Sequence, residues 1–149
     1  MELLPIIEKR VSIRKFTGKQ VDKGTLNRIL EAGRRAPSAK NRQPWHFVAI
    51  TQPELKEKIM EASFGQEHVG QAGAIIAVCT TNIDYRMPNG QCSYPIDMGF
   101  AVAFMMLQTE AEGLGGCVIS TYDEQELQEI LTVPYSMRVV MLFVVGEPA

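Results

Sequence analysis

The spacing of apolar residues changes period several times along the chain, and each change predicts an element. Residues 2–9 read as a short helix, with Pro5 tolerated in its first turn. Residues 10–16 then alternate as an extended backbone does, placing Arg10, Ser12 and Arg14 on one side and Val11 and Ile13 on the other. Leu26, Ile29, Leu30 and Gly33 return to the helical period, behind Asp22 as a cap and ahead of Pro37, which ends the helix. Residues 45–51 alternate weakly and read as a strand, and Pro53 opens a helix to about residue 62. Residues 74–80, AIIAVCT, are an unbroken apolar run rich in β-branched side chains, the pattern of a central strand buried on both faces.

Residues 97–112 read as a long helix whose first three turns, through Leu107, are apolar nearly all round. A helix apolar on every side is buried on every side, and in so small a protein the cover expected for its second side is another subunit. Gly113, Gly115 and Gly116 are expected to terminate it, with a strand starting at Cys117 and running to residue 120. Asp123 and Glu126 form a D-x-x-E capping pattern for a helix over 124–131, and 138–146 is a final apolar strand. Strands alternating with helices imply an α/β layer structure, and no repeat or linker divides residues 1–149, so the chain reads as a single domain.

Composition narrows the class. With 149 residues and a net charge of −2, the chain lacks the basic excess of a nucleic-acid binder. No apolar stretch reaches the length of a membrane span, and the start carries Glu2 without a basic leader region, so neither membrane nor export is expected. Cys79, Cys92 and Cys117 are odd in number and unpaired in spacing, which suits reduced thiols in a cytoplasm. His46 and His68 are the sole histidines and no ligand cluster surrounds them, so no metal site is expected.

Two guanidinium forks and a hydroxyl at positions 10, 12 and 14 make a cradle for an anion, although the stretch by itself is better read as a solvated basic strand or turn. Residues 34–50, RRAPSAKNRQPWHFVAI, read as a helix end, a polar turn and a strand start. Pro37, Ser38, Ala39 and Asn41 are small or amide-bearing residues that let a backbone approach a flat ligand, or simply cap a loop in which Trp45 anchors the core. The run GLGG at 113–116 is not a dinucleotide fingerprint. Val118 stands where the third glycine would fall, and the run leads from helix to strand rather than the reverse. Cys117 has no visible partner base, and Asp97 is as well explained by helix capping as by a caged carboxylate. Arg42 and Arg86 are accounted for by ordinary surface charge. With no triad, phosphate loop or carboxylate pair, any enzyme chemistry here belongs to a cofactor.

In order and spacing, KRVSIRKF at 9–16, ILEAGRRAPSAKNRQPWHF at 29–47, IDMGFAVAFMMLQTEAEGLGGCVIS at 96–120 and VVMLFVVGEP at 139–148 together resemble the FMN-dependent nitroreductase family across essentially the whole chain. The resemblance implies an α+β sandwich with a central mixed sheet flanked by helices, and a homodimer with two FMN sites in its interface. It implies an oxidoreductase passing two electrons from NADH or NADPH, through flavin N5 in a ping-pong sequence, to a small-molecule acceptor such as a nitroaromatic or quinone. By the same resemblance Arg10 and Ser12 are phosphate or ribityl ligands, the backbone near Val11 assists, and Arg14 lies at the N1/O2 edge of the flavin ring. Pro37, Ser38, Ala39 and Asn41 would reach that flavin from the other subunit. Ile119, Ser120 and Thr121 fall where the family sets backbone near the ring, and Gln66 corresponds to a polar flavin contact.

The chain departs from the family pattern at Phe104, where the family helix often carries asparagine. It reaches Ala149 where many relatives continue into a segment of basic phosphate ligands, and it lacks the insertion that covers the flavin, so an open pocket and weaker FMN binding are expected. Two alternatives therefore stand beside the enzyme: a flavin-binding or redox-partner protein with little turnover, and a dimeric domain that has lost FMN.

Overall fold

The computed structural model describes residues 1–149. Its elements follow the order α1 (Pro5–Lys9), α2 (Lys23–Arg34), β1 (His46–Ile50), α3 (Pro53–Ala62), α4 (Glu67–Gln71), β2 (Ala74–Thr80), α5 (Tyr94–Ala111), β3 (Gly115–Ile119), α6 (Glu124–Leu131) and β4 (Arg138–Gly146). The four strands form one sheet in the order β1-β2-β4-β3, and every pair of neighbouring strands is antiparallel. The sheet is thus antiparallel rather than mixed as expected, and the parallel contact between Ser12 and Gly116 is an isolated bridge beside β3.

β2 lies inside the sheet and each of its residues is buried, as an apolar run without alternation requires. Its side chains divide between two cores by the period of two. Ile75, Ala77 and Cys79 join Ile59 of α3, Val69 of α4 and Leu127 of α6 on one face. Ala74, Ile76 and Val78 join Ile29 of α2 and Met98 and Met105 of α5 on the other. Burying each large apolar side chain contributes about 1.5–3 kcal/mol, so the helices are held mainly by these faces. Gly33 lets α2 press onto α5, because a Cβ there would stand 2.9 Å from Met105 Cγ.

Caps set the helix ends. Asp22 accepts the Thr25 amide at 2.9 Å and Asp123 the Glu126 amide at 3.2 Å, both as expected from the sequence. Two expectations about the long helix need correction. The long helix starts three residues earlier than residue 97, at Tyr94, because Pro95 suits a first turn; Asp97 is therefore inside the helix and is not its cap. Gly115 and Gly116 do not terminate that helix: Gly113, at φ +76°, does so, and the other two open β3. Val11 and Ile13 also differ in burial, with Ile13 packed against the core and Val11 57% exposed, since nothing in the chain covers it. The short helix α4 and the 3-10 turn Ala39–Asn41 carry no capping or periodic pattern long enough to announce them. No helix is long and apolar enough to cross a membrane.

Candidate functional site

The row Arg10, Ser12, Arg14 leaves the end of α1 in extended conformation and lies along β3. The Ile13 amide donates to the Gly116 carbonyl at 2.9 Å, and the Thr17 amide to Glu147 at 3.0 Å. Gly115 makes this approach possible, because a Cβ there would overlap the Ile13 side chain. Gly116 makes room on the core side instead, since its Cβ would sit 2.6 Å from Phe143 Cζ. The basic segment and the glycine run, far apart in sequence, are thus one local structure.

Ser12 and Arg14 are exposed, and Arg10 is half-buried in a small depression with Met106, Thr109, Glu110 and Leu114. Neither Arg10 nor Arg14 makes an ion pair, and the Ser12 hydroxyl makes no hydrogen bond. Arg28, Arg34, Arg35 and Arg138, by contrast, each pair with a carboxylate. Arg14 extends its charge toward α4 and β3. Burial first, and then the Arg14 charge, hold the His68 imidazole below its ordinary range. Burial pushes the Cys117 thiol up, and Arg14 offsets part of that; burial drives Cys79 up to about 12, so neither is a poised nucleophile.

Gln66 closes the rim of the same region. Its side-chain amide donates to the carbonyls of Ser63 and Thr121, each at 2.9 Å. Ile119 is buried, whereas Ser120 and Thr121 are exposed just beyond the end of β3. Ser12, Arg14, Gln66 and residues 119–121 therefore gather around one sheet edge.

Pro37, Ser38, Ala39 and Asn41 form a second group. Lys40, Asn41 and Gln43 all have φ between 51° and 53°, a costly conformation for residues other than glycine. Side chains hold it in place: Ser38 Oγ accepts the Gln43 amide at 3.0 Å, and Asn41 Oδ1 accepts Gln43 Nε2 at 3.1 Å. Asp97 Oδ1 accepts the Ala39 amide at 2.9 Å from within the first turn of α5. Asp97 is 2% exposed and its Oδ2 has no partner. No pattern near either residue signals this tie, which spans 58 positions. No hydrogen bond or ion pair joins this loop to the Arg10–Thr121 group within the chain. Trp45 is buried and stacks on Phe47 at 6.1 Å between ring centroids, so it serves the core.

Comparison with known proteins assigns the family. A sequence profile described as the Nitroreductase family matches residues 7–75 and 64–147. The chain belongs to the nitroreductase family. As a member it is an FMN-dependent oxidoreductase. It is similar to an NADH dehydrogenase of Thermus thermophilus, 29% identical over 183 residues that cover 98% of this chain and 89% of the relative. It is also similar to an FMN reductase [NAD(P)H] of Bacillus subtilis, 28% identical over 165 residues that cover 99% and 66%. A crystal structure of a nitroreductase family protein from Clostridium novyi NT aligns with a TM-score of 0.91 and 32% identity, covering all of this chain and 86% of that one.

The residues present fit FMN. A phosphate dianion needs several cationic or hydroxyl donors that are not already neutralised, which is what Arg10, Ser12 and Arg14 offer. A flat ring system needs an exposed stretch of chain at a sheet edge, which Ser120 and Thr121 offer just beyond β3.

Proposed function

We propose that this nitroreductase-family member is a homodimer in which residues 1–149 act as one FMN-binding domain. It takes two electrons from NADH or NADPH and passes them to a flat small-molecule acceptor such as a nitroaromatic or a quinone. The observation that carries this reading is the row of unpaired donors at Arg10, Ser12 and Arg14 running along β3. The Thermus and Bacillus relatives, an NADH dehydrogenase and an FMN reductase [NAD(P)H], support the nicotinamide donor.

Bound FMN supplies the two-electron redox chemistry. In our reading Arg10 and Ser12 hold its phosphate and ribityl chain, with the Val11 backbone assisting. Arg14 sets a fixed positive charge at the pyrimidine edge, where negative charge grows on reduction. The backbone of residues 119–121 lies along the ring, and Gln66 adds a polar contact. Pro37, Ser38, Ala39 and Asn41 belong to the second copy, which accords with the absence of any link between the two groups within one chain. The outward side of α5 supports the second copy too. Ile96, Phe100 and Phe104 stand exposed at intervals of four, an apolar stripe of the kind that a subunit interface covers.

An absorbance titration of the purified protein with FMN, followed by desalting, tests the reading. The expected result is retained flavin near one per chain, reduced by added NADH or NADPH and reoxidised by a quinone. Failure to bind FMN supplied in excess would overturn it.

A further inference from the structure

Lys40 and Arg42 project from the strained loop onto one aromatic ring of another loop. The Arg42 guanidinium lies 3.7 Å from the Tyr85 ring centroid and Lys40 Nζ lies 5.6 Å from it. A cation over an aromatic face is favourable, and Arg42 gains a fixed position from it. Two cations drawn to the same ring nevertheless repel each other, and nothing in the chain neutralises them. Neither makes an ion pair, even though Asp84 adjoins Tyr85 in sequence. Arg86 differs, because its guanidinium is committed to the Gly90 carbonyl at 2.9 Å.

Two further observations point outward to a ligand. Three of the five non-glycine residues with positive φ are Lys40, Asn41 and Gln43, so backbone strain concentrates in the loop that carries these cations. Lys40 and Arg42 are also exposed, whereas Ala39 next to them is tied inward to buried Asp97. The inner part of the loop is thus anchored and the outer part presents positive charge.

We infer that Lys40 and Arg42, held at Tyr85, form a phosphate-monoester site that receives the 2′-phosphate of NADPH and makes it the preferred electron donor. This rests on the proposed use of a reduced nicotinamide at the flavin. A guanidinium fork and an ammonium suit a dianion with three acceptor oxygens, and the hydroxyl that NADH carries at that position offers no such charge. The exposed rim of the loop suits the outer, adenosine end of the dinucleotide, while Arg10 and Arg14 are left to the flavin phosphate.

The test uses the FMN-loaded full chain and the double variant Lys40→Gln, Arg42→Gln, whose neutral side chains keep much of the original length. The NADPH-to-NADH ratio of kcat/KM is expected to fall about tenfold, the scale of one to two screened charge-assisted contacts. Calorimetric titration gives a second readout: adenosine 2′-monophosphate should bind the parent more tightly than adenosine 5′-monophosphate, and the double variant should lose that difference. An unchanged ratio, or equal losses with both donors, would overturn the assignment, the latter by pointing to the pyrophosphate they share. If the parent oxidises neither donor although FMN is bound, it is the underlying donor reading that fails.

Discussion

The carboxylate of Asp97, inside the first turn of α5, accepts the Ala39 amide at 2.9 Å and so ties the polar loop to the helix that bears the apolar stripe. Replacing Asp97 with alanine leaves that amide without its partner in a half-buried place, which costs about 1–3 kcal/mol. Asp97→Asn keeps an acceptor and removes a charge whose second oxygen is unpartnered. We therefore expect Asp97→Ala to lower the urea midpoint and weaken FMN binding, and Asp97→Asn to do less of both. Parent-like FMN affinity in the alanine variant would show that this tie does not set the loop's placement.

Gly116 offers a test at the opposite edge of the sheet. An added Cβ would stand 2.6 Å from Phe143 Cζ and 3.2 Å from the Val144 carbonyl oxygen, and Phe143 is wholly buried. Gly116→Ala forces that ring or β3 to shift, at about 1–3 kcal/mol. Denaturant unfolding should show this loss, and flavin binding should weaken as the segment bearing Ser12 and Arg14 is displaced. A variant with parent stability would mean that the ring moves freely.

Phe100 and Phe104 remain 45% and 39% exposed in the isolated chain, so a charge there spares the chain's own core. At a subunit interface the same charge would be buried without a partner, a loss of about 3–5 kcal/mol. Phe104→Glu and Phe100→Glu are therefore expected to give folded monomers by light scattering and circular dichroism. A dimer of unchanged mass in both variants would place the interface elsewhere.

Acid should act through Glu112. Hydrogen bonds from Arg28 and then Gln108 hold its carboxyl at about 2, below its ordinary 4.5. A depressed carboxyl contributes stability that is fully present above the ordinary value and is lost as pH falls through the lowered one. Thermal midpoints of the parent should therefore drop between about pH 4.5 and 2, and Glu112→Gln should flatten part of that fall. Parallel curves would show that the pair adds nothing measurable, as exposed pairs often do.

Local chemistry made most of the fold legible in the sequence. Pro53, Asp22 and Asp123 marked helix starts correctly, and AIIAVCT announced a strand covered on both faces, because caps and periodicity act between near neighbours. The alternation of Arg10, Ser12 and Arg14, together with the family pattern, was enough to single out the donor row.

Tertiary structure alone decided the rest. It showed that Gly115 makes room for Ile13 of the basic segment and Gly116 for Phe143, rather than both ending a helix, that Asp97 anchors Ala39, and that Lys40 and Arg42 meet at Tyr85. Each of these pairings spans dozens of residues and depends on steric room or on a single polar atom. Neither leaves a period in the chain, so neither is visible until the sheet and α5 bring the partners together.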